Sequence, residues 1–241
     1  MNMIMRIPTL CLLMASVVVG LGLHAQAADP QPQASLKEAA KRFFPIGVGV
    51  DDRIADRAAD HRLLLTQFSI VTPENCMKPA KVQSAEGKWD FAQADAFVEF
   101  ATKNGLKVVG HCLVWAKDDR TPAWFYRDGE TTASREVLLD RMKQHIETVV
   151  TRYRGRIAMW DVVNEALADG TAEYLRVSGW SKACGEEFIA KACEYAHAAD
   201  PEAVLIYNDY NNELPAKRQK QIRLVRSLRE KNVPIHAGGQ P

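Results

Sequence analysis

Two kinds of hydrophobic pattern alternate along most of the chain. Short apolar runs rich in β-branched residues are typical of buried strands, and they cover residues 45–50, 67–71, 106–114, 157–163, 203–207 and 233–239. Longer segments with apolar residues three or four positions apart are typical of helices, and they cover residues 90–104, 134–153, 186–199 and 217–231. Apolar strands that alternate with helices predict an α/β protein whose parallel sheet is covered by helices.

Two architectures fit this alternation: an open doubly wound sheet, and an eight-stranded (β/α)8 TIM barrel with about the first six β/α units present. Gly47-Val48-Gly49 lacks the rest of a dinucleotide-binding turn. Polar and aromatic residues lie at or just after the C-terminal ends of four strands: Glu74, Asn75, Lys78, His111, Trp115, Asn164, Glu165, Asn208, Asp209 and Tyr210. In a barrel these ends open on the face that carries the active site, so their distribution favours the barrel.

The N-terminal residues have the pattern of a secretory signal peptide. Arg6 precedes an apolar run over 10–23, and Ala25-Gln26-Ala27 supplies small residues at the spacing of a cleavage site. The alternative is an uncleaved membrane anchor, but the run is shorter than the ~20 residues of a membrane span. We expect a signal peptide over 1–27, a linker over 28–35, and a barrel domain over 36–241 in a soluble secreted or periplasmic protein.

The bulk composition is that of an ordinary globular protein. The 241 residues are 47% hydrophobic, and the formal net charge is +1. No block of basic residues stands out, so a charge-driven interaction with nucleic acid or a membrane surface has little support. Cys76, Cys112, Cys184 and Cys193 do not have the spacing of a zinc site. Packing as small apolar residues is the favoured interpretation of these cysteines, and disulfide pairing stays open.

A glutamate at a barrel rim among Trp, Tyr, His and Asn indicates sugar chemistry. Aromatic faces pack on pyranose rings, amides hydrogen-bond hydroxyls, and a carboxylic acid protonates the glycosidic oxygen, so no cofactor is needed. Glu165 is the candidate acid. The alternatives are a glutamate placed by a helix dipole at that position, and a metal site built from His111, Glu74 and Asp209. Within the strand, Trp160 is expected in the core and Asp161 as a buried hydrogen-bonded group.

Four stretches resemble glycoside hydrolase family 10, the endo-β-1,4-xylanases. They are "TPENCMKP" (72–79), "GHCLVW" (110–115), "WDVVNEAL" (160–167) and "LIYNDYN" (205–211), in this order and at these spacings. The resemblance runs from about residue 36 onward. It implies an eight-stranded barrel that hydrolyses internal xylan linkages with retention, uses no cofactor or metal, and acts as a monomer when complete.

The resemblance also implies a role for each matching residue. Glu165 would be the acid/base, and Asn164 would contact the sugar 2-hydroxyl. His111 and Trp115 would form the wall where the bond breaks. The other implied substrate contacts are Glu74, Asn75 and Lys78 on the non-reducing side, Asn208 and Tyr210 near the leaving group, and Gln240 near the site.

The chain departs from the family pattern in three places. Pro79 follows Lys78 where the family usually has Trp, and residues 116–120 replace the usual His-Ser-Gln. The family's nucleophilic glutamate lies on a seventh strand, and no residue up to Pro241 matches it. We therefore expect a C-terminally incomplete xylanase that is inactive as given. The alternatives are a β-glucanase of the same barrel type and a non-catalytic sugar-binding remnant.

Overall fold

The structure is a computed structural model that describes residues 34–239. A single parallel sheet of six strands organises this part of the chain. Its strands follow one another in chain order as β1 (Gly47–Val50), β2 (Ile70–Pro73), β3 (Lys107–Trp115), β6 (Met159–Asn164), β7 (Val204–Asn208) and β8 (Ala237–Gly239). The short strands β4 (Arg127–Asp128) and β5 (Thr131–Thr132) form a separate antiparallel hairpin. The sheet curls as six units of a (β/α)8 barrel, and β1 does not pair with β8.

One helix precedes β1, and the others lie between successive strands of the sheet. The helices are α1 (Leu36–Ala40), α2 (Ala58–Gln67), α3 (Pro79–Val82), α4 (Ala92–Lys103), α5 (Arg135–Tyr153), α6 (Gly179–Cys184), α7 (Glu187–Ala199) and α8 (Pro215–Glu230), with 3-10 turns at Ile54–Asp56 and Ala123–Tyr126. Ser134 begins α5 by accepting the amide of Val137 at 3.3 Å. Pro79 opens α3, where its missing amide hydrogen costs nothing.

The core lies between the sheet and the surrounding helices. Trp160 is one of the largest side chains in it and is fully buried, as expected from its place within an apolar strand. Gly110 on β3 faces Trp160 so closely that an added Cβ would lie 2.2 Å from the indole ring. A glycine is therefore required here by packing rather than by backbone conformation.

Inside the curl lies a cavity of about 490 Å³. Its lining includes the inward residues of several strands, which are mostly half-buried: Ile70, Thr72, Val109, His111, Asp161 and Ile206. The interior of this six-stranded sheet is thus open, whereas a closed barrel of eight strands fills its interior with side chains.

The predicted strands and helices are confirmed, with shifted ends. Gln67 ends α2 instead of beginning a strand, and β2 begins at Ile70. Residues 233–236 precede β8 rather than belonging to it. The helices α1, α2, α3 and α6 were not predicted. At the junction of α2 and β2, a helix and a strand share one apolar stretch, 63–71, which periodicity alone could not divide.

Two further sequence expectations concern the cysteines and the membrane. The four cysteines between residues 34 and 239 are free and buried, and burial raises the pKa of Cys193 to about 12. They pack as small apolar residues, as favoured from the sequence. None of the helices in this range combines the length and apolarity that crossing a bilayer requires. The predicted signal peptide, residues 1–27, lies outside the described residues.

Candidate active site

Three rim residues are brought side by side by the sheet register. Trp115 at the end of β3 pairs with Asn164 at the end of β6, and Asn164 pairs with Asn208 at the end of β7. The side chains of the two asparagines are buried, and the Asn208 amide donates to Asn164 Oδ1 at 3.0 Å. The polar residues predicted at these strand ends therefore do meet on one face.

Glu165 stands at this rim directly after β6. Its backbone has φ +57°, in the left-handed region that residues other than glycine seldom adopt. Its amide donates to the carbonyl of Asn208 at 2.9 Å, and its own carbonyl accepts from Arg176 Nε at 3.0 Å. These two bonds hold the peptide groups before and after Glu165, the residue that presents the carboxylate.

The carboxylate of Glu165 is largely buried but makes few contacts with the rest of the protein. The side chain is 15% exposed, and Lys117 Nζ lies 3.6 Å from Oε2. Among the described residues, Oε2 has no hydrogen-bond partner although it is buried. A carboxyl oxygen left without a hydrogen bond is available to a substrate.

His111 and Trp115 contact each other on β3, the strand that pairs with β6. His111 Nδ1 lies 2.7 Å from Asp161 Oδ2, which holds the imidazole in one orientation. The Trp115 ring meets the imidazole edge-on, with ring centres 5.9 Å apart. Asp161 is thus the buried hydrogen-bonded group expected inside the strand, and its partner is the candidate site histidine.

The segment after β2 supplies the other predicted sugar contacts. Lys78 Nζ donates to Asn75 Oδ1 at 3.0 Å and lies 4.7 Å from the centre of the Trp115 ring. The amide of Asn75 donates to Asp52 Oδ1 at 2.8 Å, which ties this segment to the loop after β1. Glu74 is exposed and lines the cavity.

The unusual segment 116–120 also reaches the site, which sequence reasoning did not predict. Lys117 contacts Glu165, and the Arg120 guanidinium lies 5.7 Å from the Trp115 ring centre. Asp118 Oδ1 accepts the amide of Gly179 at 2.7 Å and so anchors the segment to the start of α6. The departure from the family motif was visible in the sequence, but its contact with Glu165 was not.

Behind the rim, Tyr210 and Lys217 belong to a network of charges. The Tyr210 hydroxyl donates to Asp169 and accepts from Arg176 Nη2 at 2.7 Å. Burial works against ionisation of Asp169, but the hydrogen bonds from Tyr210 and Lys217 and the charges of Lys217 and Arg176 outweigh it and lower its pKa to about 2. Burial raises the pKa of Asp209, in spite of its contact with Lys217. Arg176 and Lys217 were missed in the sequence because neither lies in a family motif considered there.

The alternative metal site is not formed. Between residues 34 and 239, no group of three or more His, Cys, Asp or Glu side chains could hold a metal ion. His111 is bonded to Asp161, whereas Asp209 is fully buried against Lys217. Gln240, the remaining predicted contact, lies outside the described residues.

Comparison with known proteins identifies a matching family and several related xylanases. The family model described as glycosyl hydrolase family 10 matches residues 35–240. A β-1,4-xylanase of Dictyoglomus thermophilum is 43% identical over 97% of this chain and 64% of its own length. An endo-1,4-β-xylanase of Geobacillus stearothermophilus is 44% identical over 85% of this chain and 61% of its own length. The chain thus spans somewhat less than two thirds of these relatives.

Solved structures agree in fold. Xylanase XynB from Paenibacillus barcinonensis, complexed with a conduramine derivative, superposes with a TM-score of 0.81 at 42% identity, covering 86% of this chain and 62% of that one. An endo-1,4-β-xylanase from Caldicellulosiruptor owensensis superposes with a TM-score of 0.80 at 40% identity, covering the same shares.

Proposed function

Because the chain belongs to glycosyl hydrolase family 10, we propose that its function is endo-1,4-β-xylanase activity, the hydrolysis of internal linkages in xylan. The relatives at 43% and 44% identity that are named as xylanases support this substrate. The observation that carries the proposal is the Glu165 carboxylate. Glu165 directly follows Asn164, the rim residue that pairs with Trp115 and Asn208, and its Oε2 is buried without a hydrogen bond to the described residues.

In this proposal Glu165 is the acid/base of a retaining mechanism. As an acid it protonates the departing glycosidic oxygen, and as a base it then activates the water that hydrolyses the glycosyl-enzyme. A second carboxylate must act as nucleophile, and by the family resemblance that residue belongs to a seventh strand. No metal or organic cofactor enters either step.

The surrounding residues are proposed to hold the sugar. Trp115 offers an aromatic surface, and His111, oriented by Asp161, offers its second ring nitrogen to a hydroxyl. Asn164 contacts the 2-hydroxyl next to the cleaved bond. The remaining proposed contacts are Glu74, Asn75 and Lys78 on the non-reducing side, and Asn208 and Tyr210 on the leaving-group side.

The test is Glu165→Ala in protein translated to the stop codon of its gene. Hydrolysis of xylan should fall by about 10²–10⁴-fold, while an aryl β-xylobioside with a good leaving group should keep most of its first-step rate because its oxygen needs no acid. Azide should restore the second step, since it needs no base. Glu147→Ala on α5 is the control. Full xylan activity in Glu165→Ala would refute the assignment of the acid/base.

The same preparation separates xylan from other glycans. Reducing sugar should be released from xylan and not from β-glucan. Preferential release from β-glucan would show a β-glucanase, and binding of xylan without release would show a sugar-binding remnant.

We also propose export to the periplasm or medium, supported by the charge, apolar run and small residues of 1–27. N-terminal sequencing of protein secreted by a bacterial host should give a mature chain that begins at Ala28. An intact Met1 on the exported protein would refute the cleavage.

A further inference from the structure

We propose that Lys217, buried beneath the rim, is a positioning residue that holds Glu165 in place for proton transfer. The inference rests on the proposed role of Glu165 as acid/base and extends it to a residue that touches neither the carboxylate nor the cavity. Its support is the set of hydrogen bonds that run from the Lys217 ammonium, directly or through other side chains, to the peptide groups that follow Glu165.

The ammonium of Lys217 is fully committed to protein acceptors. The side chain is 2% exposed, and Nζ lies 2.7 Å from Leu167 O, 2.9 Å from Asp169 Oδ1 and 3.0 Å from Asp209 Oδ1. An ammonium has three donors, and three acceptors surround this one. Lys217 therefore acts through other residues and has no donor left for a substrate.

Its place in the chain is otherwise unfavourable for a cation. Lys217 lies in the first turn of α8, where the helix dipole and the free amides favour negative charge. Burial adds the cost of removing the ammonium from water. Asp169 and Asp209 offset both effects, and they tie α8 to the segment that follows Glu165.

The first arm of the network runs through Asp209. Asp209 Oδ2 accepts the amide of Leu167 at 3.2 Å and the hydroxyl of Tyr207. The same hydroxyl oxygen accepts the amides of Ala166 and Leu167 at 3.1 and 3.0 Å. The two peptide groups directly after Glu165 are thereby fixed by buried side chains.

The second arm runs through Asp169 and returns to Glu165 itself. Asp169 Oδ2 pairs with Arg176 Nη2 at 3.2 Å, and Arg176 Nε donates to the carbonyl of Glu165 at 3.0 Å. Glu165 has a left-handed backbone, φ +57°, a conformation that persists only where its surroundings impose it. Both arms begin at Lys217 and supply that constraint.

Positioning of this kind has a kinetic signature. Displacement of a catalytic group by about 1 Å can cost on the order of 10²-fold in rate. This loss of rate affects the step in which Glu165 protonates the leaving group. It is therefore large for a basic leaving group and small for a leaving group that needs no protonation. A merely structural residue lowers the fraction of folded enzyme and reduces both rates by the same factor.

The experiment compares kcat/KM for xylan with kcat/KM for 2,4-dinitrophenyl β-xylobioside, in protein translated to the stop codon. In Lys217→Met, kcat/KM for xylan divided by kcat/KM for the aryl xylobioside should fall about tenfold or more, with KM for xylan little changed. Tyr207→Phe, which keeps the ring and removes one hydroxyl, should shift the ratio in the same direction by about threefold. Leu228→Ala, a buried change at the far end of α8, is the control for lost stability and should leave the ratio unchanged.

The outcomes are distinct. An inactive wild-type protein would overturn the proposed function itself. An active wild type in which Lys217→Met and Tyr207→Phe lower both rates equally would overturn the positioning role and leave the proposed function intact. If Lys217→Met does not fold, Tyr207→Phe decides alone, because an unchanged ratio in that variant would overturn the role.

Discussion

At the scale of single residues, Glu165 is held in a conformation that its own chemistry disfavours. A left-handed backbone costs an L-residue about 1–2 kcal/mol, whereas glycine adopts it freely. The fold keeps the glutamate there, and its carboxylate lies 3.6 Å from Lys117 Nζ at the rim. The left-handed backbone at this position lowers the stability of the fold but keeps the carboxylate at the rim.

The free-energy cost of this left-handed backbone can be measured. We expect Glu165→Gly to have a free energy of unfolding about 1 kcal/mol higher than Glu165→Ala, because glycine relieves the left-handed strain. Urea denaturation of the two variants is the measurement. Glu99, in the middle of α4, is the matched control, where glycine should be about 1 kcal/mol worse than alanine. The same order at both sites would mean that Glu165 is not strained.

At the scale of elements, the sheet depends on one close approach between β3 and β6. Gly110 pairs with Trp160 in the register, and the buried indole occupies the space that a Cβ would need. The Trp160 ring cannot yield easily, because it is fully buried in the core. The indole fits over β3 only because residue 110 has no side chain.

Gly110→Ala should therefore destabilise the fold by about 3 kcal/mol, the cost of overpacking a core. Gly49 on β1 is the control, since nothing lies within 4 Å of a Cβ added there. Thermal unfolding of both variants is the measurement. Equal melting temperatures would show that the Trp160 ring can move aside without cost.

Helix α5 contributes a pH dependence through His145. This imidazole is buried with Nδ1 2.8 Å from Gln83 Oε1, and burial lowers its pKa from 6.5 to about 4. Above pH 6.5 the histidine is neutral in both states and contributes no pH dependence. As the pH falls from 6.5 to 4, His145 binds a proton in the unfolded chain but not in the folded protein, so the free energy of unfolding decreases.

The loss over this window should reach about 3 kcal/mol. Urea midpoints at several pH values between 7 and 4, for the wild type and for His145→Gln, are the measurement, since all other titrations are common to both proteins. The difference in stability between the two should change with pH over this window and level off below pH 4. A constant difference would show that His145 titrates normally in the fold.

At the scale of the whole molecule, the described sheet is open on both sides. Within residues 34–239, β1 and β8 each pair with one neighbour, and the inward side chains around the cavity are mostly half-buried. Phe43 and Phe44, after α1, are 81% and 61% exposed. Unpaired parallel edges and exposed aromatic side chains favour association with other chains.

We expect the 241-residue chain alone not to hydrolyse xylan. A retaining mechanism needs two carboxylates about 5–5.5 Å apart, and Glu165 is the one that a family motif assigns in this chain. Reducing-sugar release by residues 1–241 should stay at background, while protein translated to the stop codon of the gene is active. Equal activity of the two would mean that a carboxylate within these 241 residues serves as nucleophile.

The amino-acid sequence by itself determined the order of the six sheet strands, four of the helices and the residues at the strand ends. Runs such as 106–114 and 157–163 are apolar because both faces of a parallel strand are buried, so the pattern follows directly from local burial. The C-terminal ends of such strands share one edge, and this rule alone placed Trp115, Asn164, Glu165 and Asn208 together.

Only the tertiary structure decided which charges surround that glutamate. Lys117 reaches it from about fifty positions earlier in the chain, and Lys217, about fifty positions later, contacts the carbonyl of Leu167 just beyond it. Periodicity describes neighbours within one turn or one pleat, so it predicted a helix around Lys217 without showing that this lysine faces inward. Contacts between distant segments depend on register and packing, which exist only once the sheet has formed.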